Sequence, residues 1–299
     1  MRRAAAITLL AVLAGIAAGC GGGGGGSSTS TGSKTTSASS CTKKQLKLVT
    51  ANTLTIGTGN PAYAPWYEGG EKLGSVFKVN DPTTGQGYES AVAYAMAKEL
   101  GFTKSQVKWV PVAFNLTFKP GAKDFDFAMQ QISYNPQRAK AVTFSKPYFN
   151  NEQSLVALKD KPLAKATSFS DLKGAKLGVV VGTTSYDYIN DNIKPTNKPL
   201  VYDTLDANVA ALKVGQIDGL VTDFPTAYYI ANVQLSNATL VGRLPTIGKQ
   251  EYFGVTFEKG NPLAPCVNKA IEALKQDGKI QKLEQQWITS KAHAPQIHQ

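Results

Sequence analysis

In this 299-residue chain, Asp223 stands just beyond an apolar run that reads as a β-strand, and Arg138 in the polar segment that follows another, positions from which charges reach small ligands. Gly59 and Asn60 follow the run Leu54–Thr58, and the aromatic residues Tyr63 and Trp66 come next. Phe114 follows Val107–Val112, and Gln130, Gln131, Ser133 and Arg138 follow Phe125–Met129. Thr183 and Thr184 open a helix after Leu177–Val181, and Asp223 opens another after Ile217–Val221. A guanidinium pairs with a carboxylate through two parallel hydrogen bonds, and the helix start at Thr183–Thr184 adds backbone N–H donors. Asp223 suits an ammonium group, and Tyr63 and Phe114 suit the faces of a side chain. Together these groups match a small zwitterion. Each alone has a plainer reading. Arg138 is a surface charge, Asp223 an N-cap, Thr183–Thr184 an ordinary helix start, and the two aromatics are core.

Composition excludes other chemistry. The only histidines, His293 and His298, are at the C-terminal end, which argues against a Ser-His-Asp triad or a histidine acid–base pair. Three cysteines and two histidines leave little for a metal cluster. No phosphate-loop pattern is present, and Gly85-Gln86-Gly87 lacks the third glycine of a dinucleotide fingerprint, so no cofactor is expected. The formal charge of +11 is spread over scattered lysines, with no basic run longer than Lys43-Lys44. That describes a solvated surface and argues against a nucleic-acid partner.

The elements that must position these groups alternate. Apolar runs are followed by amphipathic helices at Glu89–Leu100, Thr184–Asn190 and Phe224–Asn232 and by one that Asp206 caps and that runs to Val214, with Ser170 as the expected cap of a short helical turn. Tyr252–Phe257 reads as one strand, followed by helices Pro262–Gln276 and Lys279–Ile288. Alternation of this kind predicts an α/β fold of parallel sheets flanked by helices.

The first residues read as an address. Arg2-Arg3 precedes an apolar stretch too short to span a bilayer comfortably, and it ends Ala17-Ala18-Gly19-Cys20. Residues 21–40 are glycine, serine and threonine almost throughout, the composition of a flexible linker. In an oxidising compartment the remaining cysteines form an even pair, which predicts a Cys41–Cys266 disulfide.

Longer segments carry a resemblance. The end of the apolar leader resembles a bacterial lipobox, which implies cleavage before Cys20 and a diacylglycerol on its thiol. "LTIGTGNPAYAPW", "GYESAVAYAMAKELGF", "FDFAMQQISYNPQRAKAVTFSKPYF", "LKGAKLGVVVGTTS" and "LKVGQIDGLVTD" resemble family 3 of the bacterial extracytoplasmic solute-binding proteins, the polar amino-acid group of ABC importers. The resemblance implies a type II periplasmic-binding-protein-like fold: two α/β lobes joined by two hinge crossovers near Asn151–Gln153 and Thr246–Gln250. It places a leader at 1–19, a lipidated linker at 20–44, lobe 1 at 45–150 and 249–290, lobe 2 at 151–248 and a tail at 291–299. It implies that Arg138 holds a ligand carboxylate with Thr184, Thr183 and Ser133, and that Asp223 holds the amino group. Tyr63 and Phe114 would flank the side chain, with Gln131, Asn60 and Trp66 nearby. The implied partners are an amino acid, a membrane permease and the membrane itself through the lipid alone, for a monomer outside the cytoplasm. An enzyme on the same scaffold, similar to a cyclohexadienyl or arogenate dehydratase, and a binder of another small solute remain open.

Overall fold

A computed structural model describes residues 41–70, 75–288 and 294–299. The expected leader, the lipidation at Cys20, the linker up to residue 40 and His293 lie outside the described residues. Among the described residues twelve strands form the framework: β1 (Leu54–Thr58), β2 (Val107–Pro111), β3 (Phe127–Ala128), β4 (Val142–Phe144), β5 (Phe149–Asn150), β6 (Gln153–Leu158), β7 (Leu177–Val180), β8 (Leu200–Tyr202), β9 (Gly219–Asp223), β10 (Ala238–Arg243), β11 (Tyr252–Phe253) and β12 (Thr256–Glu258). One five-stranded sheet has the order β2-β1-β3-β12-β4 and the other β10-β6-β9-β7-β8.

Every residue of β1 and of β6 is buried, as expected for strands covered on both faces. Neighbouring residues on a strand point to opposite faces. Leu54, Ile56 and Phe127 accordingly pack with helices Tyr88–Glu99, Ala264–Gln276 and Lys279–Trp287, while Ala128 packs with Phe125, Ile132, Phe114 and Phe118 on the other side. In the second sheet Leu155, Leu177 and Val221 face one apolar cluster and Val156 and Leu220 another. Each such side chain contributes about 1.5–3 kcal/mol by leaving water.

The sheets are mixed rather than parallel throughout. β1 runs parallel to β2 and β3, but β12 is antiparallel to β3 and β4. β7 runs parallel to β8 and β9, while β6 is antiparallel to β9 and β10. The expected strand Tyr252–Phe257 is divided. Its first residues, β11, pair with β5, and its last residues join the first sheet as β12. Two caps also differ. Ser168 starts the helix Phe169–Leu172, with Asp171 accepting from its backbone N–H at 2.9 Å. Thr204 starts Leu205–Lys213 and accepts from Ala207 N at 3.2 Å. In both cases the capping oxygen lies farther upstream than expected, and the helix gains its first residues.

The antiparallel pair β5–β11 lies where the chain leaves the first sheet for the second and where it returns. The two passages are tied together: Asn151 N donates to Glu251 O at 2.9 Å and Gln250 Nε2 to Asn151 O at 2.7 Å.

Both ends of the folded region are fastened. Cys41 is disulfide-bonded to Cys266, with Cα atoms 5.4 Å apart. Lys43 Nζ donates to Gln106 Oε1 at 2.6 Å and stands 5.1 Å from the centre of the Phe102 ring. The last residues of the expected linker, 41–44, are thus held down by the disulfide and this lysine. The expected tail is also ordered where it is described. Ile297 is buried in the core of the second sheet, its N–H donates to Arg243 O at 2.8 Å, and His298 N donates to Thr167 O at 2.7 Å. An isoleucine with a backbone ladder beside it has reason to dock rather than trail in water.

Candidate functional site

The short helix Pro136–Ala141 carries Arg138, and Asn135 caps it by accepting from Gln137 N at 2.7 Å. Arg138 is almost fully buried, at 9% exposure. It donates to Ser133 O at 2.7 Å and to Gly182 O at 2.6 Å, so it joins a loop of the first sheet to the loop after β7 in the second. It also stacks on aromatic rings, 4.4 Å from the centre of Phe118 and 5.3 Å from that of Phe114. Burial pushes its pKa down to about 10, and the charges of Glu251 and Asp187 act against that shift. Arg138 is therefore a desolvated cation in the seam between the sheets, not a surface charge.

Hydroxyl groups converge beside it. Ser133 Oγ donates to the carboxylate of Glu251, and Thr184 Oγ1 donates to the same oxygen at 2.6 Å. Thr184 and Ser133 are themselves 3.2 Å apart. Gln153, at the start of β6, donates through Nε2 to the other Glu251 oxygen at 2.8 Å and accepts from Ser185 Oγ at 2.7 Å. Thr183 starts the helix Thr184–Tyr188 and turns its hydroxyl back to Val180 O at 2.8 Å.

Asp223 ends β9 and caps the helix Phe224–Tyr229, accepting from Thr226 N at 3.0 Å and from Thr222 Oγ1 at 3.3 Å. The cap reading therefore holds for this residue. Burial also pushes the carboxyl up to about 6, against the bonds from Thr226 and Thr222. A desolvated carboxylate in this state gains from a cation placed beside it. Across the seam, Tyr63 hydrogen-bonds Asp206, and burial together with that bond raises its pKa.

Three expected site residues turn elsewhere. Trp66 is buried in the first core, edge-on to Phe149 at 5.3 Å, and its indole N–H donates to Thr226 Oγ1 at 3.0 Å. Asn60 holds its own loop, donating to Val76 O and accepting from Lys78 N, both at 2.8 Å. Gln131 has a positive φ of 48° and directs its side-chain amide to Glu89.

Glu89 is a buried support that apolar spacing did not single out. At the start of the helix Tyr88–Glu99, it accepts from Tyr67 Oη and Gln131 N, each at 2.7 Å, and from Tyr148 Oη. Desolvation raises its pKa to about 7 in spite of these bonds. It holds the backbone of Gln131 two residues before Ser133. Gly87, just before this helix, has φ 86°, and a Cβ there would meet the backbone of Trp66 and Tyr67 at 2.6 Å. Only glycine lets the aromatic loop pass so close.

A cavity of about 350 Å³ lies between the loop residues Pro65, Gly69 and Asn80 and the helix Phe224–Tyr229, lined also by Tyr228, Tyr229 and Trp287. None of the expected site residues lines it. Among the described residues no cluster of His, Cys, Asp or Glu is arranged to hold a metal, and no helix is long and apolar enough to cross a membrane.

The chain is similar to known proteins. Residues 75–290 match the model of the bacterial extracellular solute-binding proteins, family 3. An ABC transporter arginine-binding protein of Escherichia coli is 30% identical over 211 residues, covering 68% of this chain and 81% of that protein. An L-cystine-binding protein of Escherichia coli is 31% identical over 206 residues, covering 68% of this chain and 74% of that protein. Among solved structures, an ancestral amino acid-binding protein described as a precursor of cyclohexadienyl dehydratase is similar at a TM-score of 0.62. It is 28% identical and covers 80% of this chain and 96% of its own.

Proposed function

The chain belongs to family 3 of the bacterial extracellular solute-binding proteins, and we propose that it captures a polar or charged amino acid between two closing lobes and delivers it to the permease of an ABC importer. The observation that carries this reading is the Arg138 guanidinium, buried between carbonyls of both sheets and flanked by the hydroxyls of Ser133 and Thr184. The carboxylate of an amino acid placed there bridges the lobes, which is how a ligand favours the closed form over the open one. Asp223 takes the α-ammonium group, and Tyr63 and Phe114 border the side chain. The arginine- and cystine-binding relatives both recognise amino acids, and the arginine-binding one by name serves an ABC transporter. The lobes are 45–150 with 249–290 and 151–248, hinged at the β5–β11 ribbon.

The protein acts outside the cytoplasm as a monomer, tethered by a lipid on Cys20 through the Gly/Ser/Thr linker. Membrane fractionation checks the tether: Cys20→Ser should move the protein to the soluble fraction with binding intact. The experiment for the function is a thermal-shift screen against the free amino acids. A ligand at one hundred times its Kd raises stability by roughly 2.7 kcal/mol. A screen in which no amino acid raises the Tm removes the reading.

One observation favours a second reading. Asp223 is a cleft carboxyl pushed up to about 6, the kind of group a dehydratase uses as an acid, and one structural neighbour is a dehydratase precursor. Incubation with arogenate and prephenate separates the two: turnover supports the enzyme, and binding without turnover supports the carrier.

A further inference from the structure

Glu251 receives the hydrogen bonds expected of a ligand. Its Oε1 accepts from Ser133 Oγ and from Thr184 Oγ1, and its Oε2 accepts from Gln153 Nε2. Ser133 belongs to the first sheet's side of the seam and Thr184 to the second. A single carboxylate oxygen therefore joins the two lobes, and its charge acts on the Arg138 guanidinium.

We propose that Glu251 is a resident carboxylate: it occupies the seat of the ligand's carboxylate in the empty protein, latches the lobes together, and is displaced when the ligand enters. The inference rests on the amino-acid reading of the same site.

Three physical points support it. The donor set suits a carboxylate, because two hydroxyls and an amide N–H offer hydrogens to an acceptor-only group. The backbone of Glu251 is fixed in the ribbon, where its carbonyl accepts from Asn151 N at 2.9 Å and Gln250 Nε2 at 3.0 Å. Displacement then requires only the side chain to swing, and the tethered carboxylate competes at the high effective concentration of an intramolecular group. Finally, two carboxylates repel each other when they share one set of donors, so Glu251 and the ligand exclude one another.

The latched form is closed but has no free seat. Ligand affinity falls by the fraction of molecules whose seat is open. Removal of the Glu251 carboxylate therefore raises apparent affinity, although it removes a contact that holds the lobes shut. An ordinary hinge contact, or a ligand contact, does not behave this way.

The test compares wild type with Glu251→Gln and Glu251→Ala by calorimetric titration of L-arginine and of L-cystine, and by X-ray scattering of the unliganded proteins. The expected result is binding tighter by about tenfold or more in both variants, with a larger radius of gyration for unliganded Glu251→Ala. Binding within threefold of wild type overturns the proposal. Weaker binding also overturns it and makes Glu251 a contact to the ligand's cationic group. Should the Ala variant fail to fold, the Gln variant carries the titration. If neither amino acid binds any of the proteins, the amino-acid reading fails on its own account. The scattering then decides on Glu251: equal dimensions overturn the latch, and expansion of the variant upholds it.

Discussion

Tyr67 Oη lies 2.7 Å from Glu89 Oε2 and 2.7 Å from the carbonyl oxygen of Met129, while Thr58 Oγ1 donates to it at 2.8 Å. The phenol has one hydrogen for two acceptors. That hydrogen is divided between the carboxylate and the carbonyl, so Glu89 receives less than a full bond from the phenol and burial prevails. This agrees with the desolvation that raises Glu89 to about 7.

Stability should therefore fall as pH rises. With its folded pKa near 7 and a reference value of 4.5, Glu89 binds more proton in the folded state between those values. The stabilisation is complete below about pH 4.5 and lost as pH passes 7, about 3 kcal/mol in all. Asp223, raised to about 6, contributes with the same sign at lower pH. Thermal melts between pH 6 and pH 8 should show a declining Tm for wild type and a flatter profile for Glu89→Gln. A wild-type Tm that rises over this range refutes the upward shift of the Glu89 carboxyl.

Arg138→Ala should cost the bound amino acid roughly 30- to several-thousand-fold in affinity, the consequence of leaving a desolvated carboxylate unpaired. Arg138→Lys should recover part of this, since an ammonium lacks the planar fork. The Ala variant also leaves the carbonyls of Ser133 and Gly182 without their donor, so its Tm should fall by an amount corresponding to about 1–3 kcal/mol. Calorimetry and melts check both effects.

Asp223→Asn should keep the fold, because asparagine caps a helix as well as aspartate does. It should weaken ligands with an α-amino group by a factor comparable to the Arg138→Ala loss, and their des-amino analogues little. Parallel titrations of an amino acid and its des-amino analogue test this. Equal losses for the pair show that Asp223 acts only as a cap.

Reduction of Cys41–Cys266 should lower Tm and leave ligand affinity nearly unchanged. The bond closes a loop of 225 residues, worth up to about 5 kcal/mol, and Cys266 packs in the first core, apart from the seam. Melts and titrations with and without reductant check it.

Local patterns made much of the framework legible. Helices Tyr88–Glu99 and Ala264–Gln276 follow apolar residues at helical spacing, and β6 and β7 follow continuous apolar runs. Thr184 was legible just beyond a strand, and Arg138 farther along the polar segment after β3, in a short helix that the apolar pattern did not mark. Glu251 was not, since its partner Ser133 lies 118 positions away and a lone acid in a connecting segment carries no periodic signal. The antiparallel placement of β12 depends on a long-range return of the chain, which alternation of elements does not encode. Asn60 and Trp66 have suitable side chains, yet their own loop and the first core claim them first.

Ile288 packs with the first sheet's core, and Pro295 and Ile297 dock on the second. The docked residues run beside Arg243, at the end of β10, which is an edge of the second sheet. An uncovered edge offers unpaired N–H and C=O groups on which a foreign strand can add. Here the chain covers part of that edge with its own residues, so the docking protects the second sheet from unwanted pairing as well as filling its core.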